Sequence, residues 1–272
     1  MYRSLIIVLL VMGLLLSLPI MVYAQTPVAS QGGTVEIKVL SSGAFYSTLE
    51  ELAPMYEQKT GKKVILIHGA SMGSQPTAIP ARLMRGEEAD LVVMAGPELN
   101  KLIDAGLAIP GSQVDLVLSK IGMVVRAGVP RPDISTTEAV VRTLLEAKSL
   151  GYSASASGTY LAQELFPRLG VWEQIKDKSV MVTKGRVADW VASGDLEIGF
   201  QQVSELLPVP GVDFVGTLPE EIQKVTVFSA GIAVTSKQTE EGAAFIKFLT
   251  SAEARPIIIK QGLEPIGALP QP

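Results

Sequence analysis

The chain contains no cysteine and only one histidine, His68. The first absence excludes disulfides, thiolate metal sites and a cysteine nucleophile together. With one imidazole and no clustered Asp and Glu, neither a zinc nor a calcium ligand set can be assembled, so no metal and no other cofactor is expected. A Ser-His-Asp triad would have to be built on His68, and no G-x-S-x-G elbow accompanies it. Charge is scarce as well: the formal value is −4 at pH 7, too mild to point to nucleic acid or an anionic membrane surface as a partner. A bound anion would have to be captured locally.

Long apolar runs are confined to the start. Arg3 gives a short positive beginning, Leu5 to Met21 is almost wholly apolar, and Val22-Tyr23-Ala24 places small residues at −3 and −1 before Gln25. That is the pattern of a secretory signal cleaved after Ala24, with an uncleaved membrane anchor as the alternative. Export to the periplasm is expected. Residues 1–24 are then a signal peptide and the polar, Gly-containing 25–33 a flexible lead-in. The 248 residues from Gln25 onward suffice for one large domain or two of ordinary size.

From Thr34 the pattern is α/β. Val35, Ile37 and Val39 alternate as in a strand, Ser41-Ser42-Gly43 breaks the alternation, and Phe45 to Lys59 takes helical spacing. The unit recurs as a strand over Lys63–His68, a loop over Gly69–Ser74 and a helix over Ala78–Arg85. Further strands are expected at Leu91–Ala95, Ile121–Val125, Leu150–Ser153 and Ile198–Gln201, with a long apolar run at Val225–Val234. Helices are expected at Thr137–Lys148, Thr159–Leu169, Val187–Ala192 and Glu240–Thr250. Alternating strands and helices imply sheets with helical crossovers.

Three Ser/Gly-rich turns, Ser41–Ala44, Gly69–Ser74 and Ser153–Gly158, each lie between a strand end and a helix start. Free N–H groups and the helix dipole make such places attractive to anions, although serine there also serves as an ordinary N-cap. Ser42, Gly43, Ala44 and Phe45 are candidate ligand contacts at the first turn. Ser71, Met72, Gly73 and Ser74 are those of the second, and Ser155, Ser157, Gly158 and Thr159 those of the third. Arg82 and Arg186 offer planar forks for a carboxylate or oxyanion, and Gln201 and Gln202 present amides after a strand.

Several of these segments resemble the periplasmic molybdate-binding proteins and their wider relatives, the type II solute-binding proteins. The resemblance rests on Val39–Phe45 (VLSSGAF), Glu57–Ser71 (EQKTGKKVILIHGAS), Gly86–Met94 (GEEADLVVM), Gly194–Phe200 (GDLEIGF) and Glu241–Leu263 (EGAAFIKFLTSAEARPIIIKQGL). It implies two α/β domains, each a mixed, mainly parallel sheet flanked by helices, with a ligand cleft between them. Residues 34–118 with 229–272 would form domain I and 119–228 domain II.

Carried over by position, Ser71 matches the serine of the family's second turn. Ala44 stands where the first-turn serine is usual, Gln202 where a tyrosine is usual, and the second loop is longer through Met72 to Pro80. These departures suit a larger organic anion, such as a di- or tricarboxylate, alongside the oxyanion that the family implies. The resemblance therefore implies a monomeric protein that captures a small anion for an ABC importer. The alternative is an isomerase, because relatives of the fold interconvert trans- and cis-aconitate by a 1,3-proton shift. Such chemistry needs a general base, for which His68, Glu205 and Glu264 are the candidates.

Overall fold

The computed structural model describes residues 34–267. The expected signal peptide, its cleavage point and the lead-in lie outside the described residues. The first sheet has the order β11-β4-β10-β3-β1-β2 and the second β7-β6-β8-β5-β9. In chain order these are β1 (Glu36–Ser41), β2 (Lys63–His68), β3 (Leu91–Ala95), β4 (Val114–Ser119), β5 (Ile121–Arg126) and β6 (Leu150–Ser153). β7 (Ser179–Val182), β8 (Ile198–Gln202), β9 (Val212–Thr217), β10 (Thr226–Ile232) and β11 (Glu264–Pro265) complete them. Both sheets are mixed. β1 pairs in parallel with β2 and β3, as β6 does with β7 and β8. Each antiparallel pair contains β4, β5 or β10, the strands that flank the two passages between sheets.

The chain leaves the first sheet at Lys120, directly between β4 and β5, and returns through 218–225. β10 begins at Thr226, so residues 226–228 lie with the first sheet, ahead of the 229 boundary read from the sequence. Gln202 is buried between the two passages: its Oε1 accepts from Ser119 Oγ at 2.7 Å, and its Nε2 donates to Thr226 Oγ1 at 3.5 Å.

Burial explains the strand sequences. Every residue of β3 (LVVMA) is buried, because a central strand covered on both faces has no polar side to present. Each sheet carries an apolar cluster on each face. Around the first, Phe45, Leu49 and Leu52 pack with Phe245, while Leu40, Ile79 and Met94 fill the other face. Around the second, Phe166 and Phe200 lie opposite a cluster of Val124, Val187 and Val191. Burying a side chain of this size stabilises by about 1.5–3 kcal/mol.

The helix Gly43–Thr60 positions the first turn. It starts after Ser42, whose backbone is extended (φ −77°, ψ 158°), and stops at Gly61, which adopts φ +71° and donates its N–H to Glu57 O. That left-handed stop favours glycine. Tyr56 fixes the far end, with its ring centroid 4.8 Å from that of Phe245 and 5.3 Å from that of Phe248.

Some elements differ from the sequence reading. The third turn is shorter than expected, since Ser155 caps a helix that already begins at Ala156 and passes at Leu161–Leu165 into a π-helical stretch. Gly158 therefore lies inside that helix, where a Cβ would stand 1.7 Å from Ser153 O. The helix Gly96–Asp104 and the strands β4, β7 and β9 had no clear pattern. Pro97 stands in the first turn of that helix, where proline is a start signal.

Candidate functional site

A cavity of about 270 Å³ opens between the ends of β1 and β2 in the first sheet and of β6, β7 and β8 in the second. The first turn enters it through Ser42, Gly43 and Ala44. Ser42 is 4 % exposed and its Oγ, although at an N-cap position, donates to nothing and accepts from nothing among the described residues. A buried hydroxyl left unpaired costs about 1–3 kcal/mol, and this one stands at the positive end of an 18-residue helix. The second turn contributes Gly69, Ala70, Ser71 and Thr77. Ser71 Oγ accepts from Ala95 N at 3.1 Å and keeps its proton to donate.

On the opposite wall the serines and the Gln201–Glu205 pair are bonded within the wall. Ser153 Oγ lies 2.9 Å from Ser155 Oγ and 3.1 Å from Ser157 Oγ. Gln201 accepts the Val187 N–H on its Oε1 at 2.8 Å and donates from Nε2 to Glu205 Oε1 at 2.7 Å. Glu205, on the short helix Val203–Leu206, is 7 % exposed and lines the cavity. Burial pushes its carboxyl up to about 7, against the opposing pull of the Arg186 charge and the Gln201 hydrogen bond. Desolvation is the winning effect.

Gly43 shows how closely the walls meet. A Cβ there would stand 2.1 Å from Glu205 Oε1 and 3.4 Å from His68 Nε2. Only glycine lets the carboxyl, the imidazole and the first-turn backbone converge. His68 meets Tyr46 edge-on, with ring centroids 5.2 Å apart. Enclosure by protein and the Arg186 and Arg82 charges hold its pKa below the ordinary imidazole value, outweighing Glu50. At neutral pH the ring is uncharged.

Three side-chain contacts join the two walls. Ser204 Oγ donates to Ala44 O at 2.6 Å, Arg186 Nη2 donates to Ser47 Oγ at 2.8 Å, and Thr159 Oγ1 donates to Met72 Sδ at 3.7 Å.

The structure brings together Ser42, Gly43, Ala44, Ser71, Ser155, Gln201, Gln202, His68 and Glu205 around the cavity. Other expected contacts lie elsewhere. Phe45 is fully buried in the core, because its side chain faces the sheet from the helix. Arg82 donates to Glu87 Oε1 at 2.6 Å and to Thr77 O, which takes up its fork. Met72, Gly73, Ser74, Ser157, Gly158 and Thr159 do not line the cavity, although Met72 and Thr159 form the contact above it. Arg186 does not line the cavity: it reaches Ser47 on the other wall, and its charge bears on Glu205 and His68. Glu264 is paired with Lys120 at 2.7 Å, away from the cavity, so it is no base for chemistry there.

Sequence reasoning took Ser153 only as the start of the third turn, and missed Thr77 and the turn Thr183-Lys184-Gly185. The last follows β7, a four-residue strand, so no strand end announced it. Among the described residues no group of three His, Cys, Asp or Glu could hold a metal ion, and no helix is long and apolar enough to cross a membrane.

Residues 37–264 match the family described as bacterial extracellular solute-binding protein. The chain belongs to that family. It is 42 % identical over 255 residues to an aconitate isomerase from a Pseudomonas species, covering 94 % of this chain and 97 % of the relative. Over 230 residues it is 25 % identical to the putative ABC transporter substrate-binding lipoprotein YvgL of Bacillus subtilis, covering 84 % and 86 % of the two chains. The solved periplasmic molybdate-binding protein of Azotobacter vinelandii superimposes with a TM-score of 0.69 at 22 % identity, covering 86 % of this chain and all of that one. The family member thus has the periplasmic-binding-protein fold that the resemblance implied.

Proposed function

We propose that this solute-binding-family member is a cofactor-independent isomerase that interconverts trans- and cis-aconitate by a 1,3-proton shift. The observation that carries the reading is Glu205, a cavity carboxyl at about 7 pressed against the first turn and beside His68. A general base works best when its pKa lies near the working pH, which is where burial brings Glu205. The likeness to the Pseudomonas aconitate isomerase supports the same reading.

The chemistry balances with one acid–base group. The Glu205 carboxylate takes a proton from the methylene carbon of the substrate. The C–H electron pair spreads through the adjoining double bond onto a carboxylate, and Glu205 returns the proton to the carbon at the other end of the three-carbon unit. The double bond has then moved to the other arm of a molecule with the same connectivity, which is how the cis and trans isomers exchange. Charge that develops during the shift falls near the Ser42 hydroxyl and the N–H groups that follow it, placed where preorganised donors are most effective. Ser71, Ser155 and Lys184 on the surrounding turns bind the remaining carboxylates in this scheme. The cavity is at the small end of ligand pockets, which run from about 300 Å³ upward for drug-sized molecules.

In the same proposal the two sheets are two domains, 34–118 with 229–272 and 119–228 in outline, and the passages at Lys120 and 218–225 carry their relative motion. The chain acts after export, as a monomer. A second reading, delivery of an anion to an ABC importer, is favoured by the unpaired Ser42 hydroxyl, which suits any anion, and by the family itself.

The two readings part in one assay. Purified mature protein is heated with molybdate, sulfate, citrate and each aconitate, and absorbance is followed in the aconitate samples. The isomerase raises its melting temperature with aconitate and changes the absorbance without added cofactor. A shift with molybdate alone, or with aconitate but no conversion, removes the isomerase and leaves a binding protein.

A further inference from the structure

The geometry points to Gln201 as a positioning residue that holds the Glu205 carboxyl in one orientation and leaves a single oxygen, Oε2, to carry the proton in turnover. The inference rests on the proposed isomerase for its catalytic meaning, but the arrangement stands independently of it.

Gln201 is 2 % exposed at the end of β8, four residues before Glu205. A side-chain amide has a donor end and an acceptor end, and which is which usually has to be assigned from its partners. Here the partners decide. The Val187 N–H, at the first position of the helix Val187–Ser193, can only donate, and it points at Gln201 Oε1 from 2.8 Å. Turning the amide over would set two donors against each other in a buried place and cost about 1–3 kcal/mol. The NH2 end is therefore fixed toward Glu205 Oε1 at 2.7 Å.

An oxygen that accepts this bond is a poor site for the carboxyl proton, because the N–H already occupies its facing lone pair. When Glu205 is protonated, the proton sits on Oε2. When it is ionised, the same N–H stabilises the anion, so Gln201 both aims the group and opposes the rise caused by burial. The other groups facing Glu205 are Arg186 behind it, whose charge favours ionisation, and His68 across Gly43. Lys184 lines the same cavity from the turn after β7. None of these fixes an oxygen as a short neutral hydrogen bond does.

The test begins with the unaltered protein. In 15N- and 13C-labelled wild type, one Gln201 side-chain N–H should move downfield as the Glu205 carboxyl ionises, with the same midpoint, and should cease to titrate in Glu205→Gln. A Gln201 amide that stays constant while Glu205 titrates would overturn the inference. Gln201→Met, similar in shape but unable to make either bond, should then lower kcat for aconitate roughly tenfold or more while KM changes little, and should move the acid limb of the pH profile upward. An unshifted profile with full kcat in a folded Gln201→Met protein would also overturn it. Should the wild type convert no aconitate, the isomerase falls, while the coupled titration still decides whether Gln201 holds Glu205.

Discussion

Ser42 and Glu205 face one cavity from opposite walls, and their surroundings differ in kind. On the first wall the hydroxyl of Ser42 is buried without a partner at the head of a long helix. On the second, Gln201 bonds to Glu205 and to the Val187 N–H, and the serines at 153, 155 and 157 bond to one another. An unpaired donor waits for something outside the protein. A closed network holds its own members in place. The first wall thus offers a free donor and the second a held carboxyl, and the two meet at Gly43.

Glu205→Gln should have the largest effect. Loss of a general base should lower kcat about 10²–10⁴-fold while aconitate still protects the protein against heat, since the first wall is intact. Steady-state kinetics beside a thermal-shift titration reads both. The same variant gives a stability signature. The folded-state value near 7 lies above the ordinary 4.5, so the fold binds this proton more tightly than the unfolded chain does. The contribution is fully present below about 4.5 and is lost as pH rises through about 7, a loss on the order of 3 kcal/mol. Glu205→Gln should remove that loss, so its urea stability should exceed that of wild type most at pH 8 and least at pH 4.

Gly43→Ala attacks the meeting point itself. Its methyl group would overlap Glu205 Oε1, and displacement of the carboxyl should cost about tenfold to a hundredfold in kcat, in keeping with the sensitivity of catalysis to small misplacements. Ser42→Ala should act on the other side only. It removes a charge-assisted hydrogen bond worth about 1.5–3 kcal/mol that strengthens as charge develops, lowering kcat/KM roughly tenfold or more, and it leaves the melting temperature of the free protein unchanged or higher. Smallest is Glu264→Gln. Its exposed partner is Lys120, so stability should change by less than about 1 kcal/mol and turnover not at all.

The contrast between walls also explains what could be read from the sequence. Ser42-Gly43 and Gln201-Gln202 were legible because each follows a strand whose alternation is plain, and an open α/β sheet binds its ligands at such strand ends. The Lys184 turn was not, because Ser179–Val182 is short and carries the exposed Met181. Among the three base candidates, nothing in the sequence separated Glu205 from Glu264. Burial against Gly43 and exposure beside Lys120 are facts of tertiary structure, and they set the two carboxyls apart. Arg82 looked as available as Arg186 until Glu87, five residues on, proved to occupy it.

In the proposed reaction Glu205 moves a proton on a bound tricarboxylate. The direct measurement is 1H NMR of trans-aconitate incubated in D2O with the purified protein and, separately, with Glu205→Gln. Wild type should yield cis-aconitate with no added cofactor, while the variant binds and does not convert. Stable trans-aconitate in the presence of saturating wild-type protein, its signals broadened by binding yet unexchanged, would contradict the account.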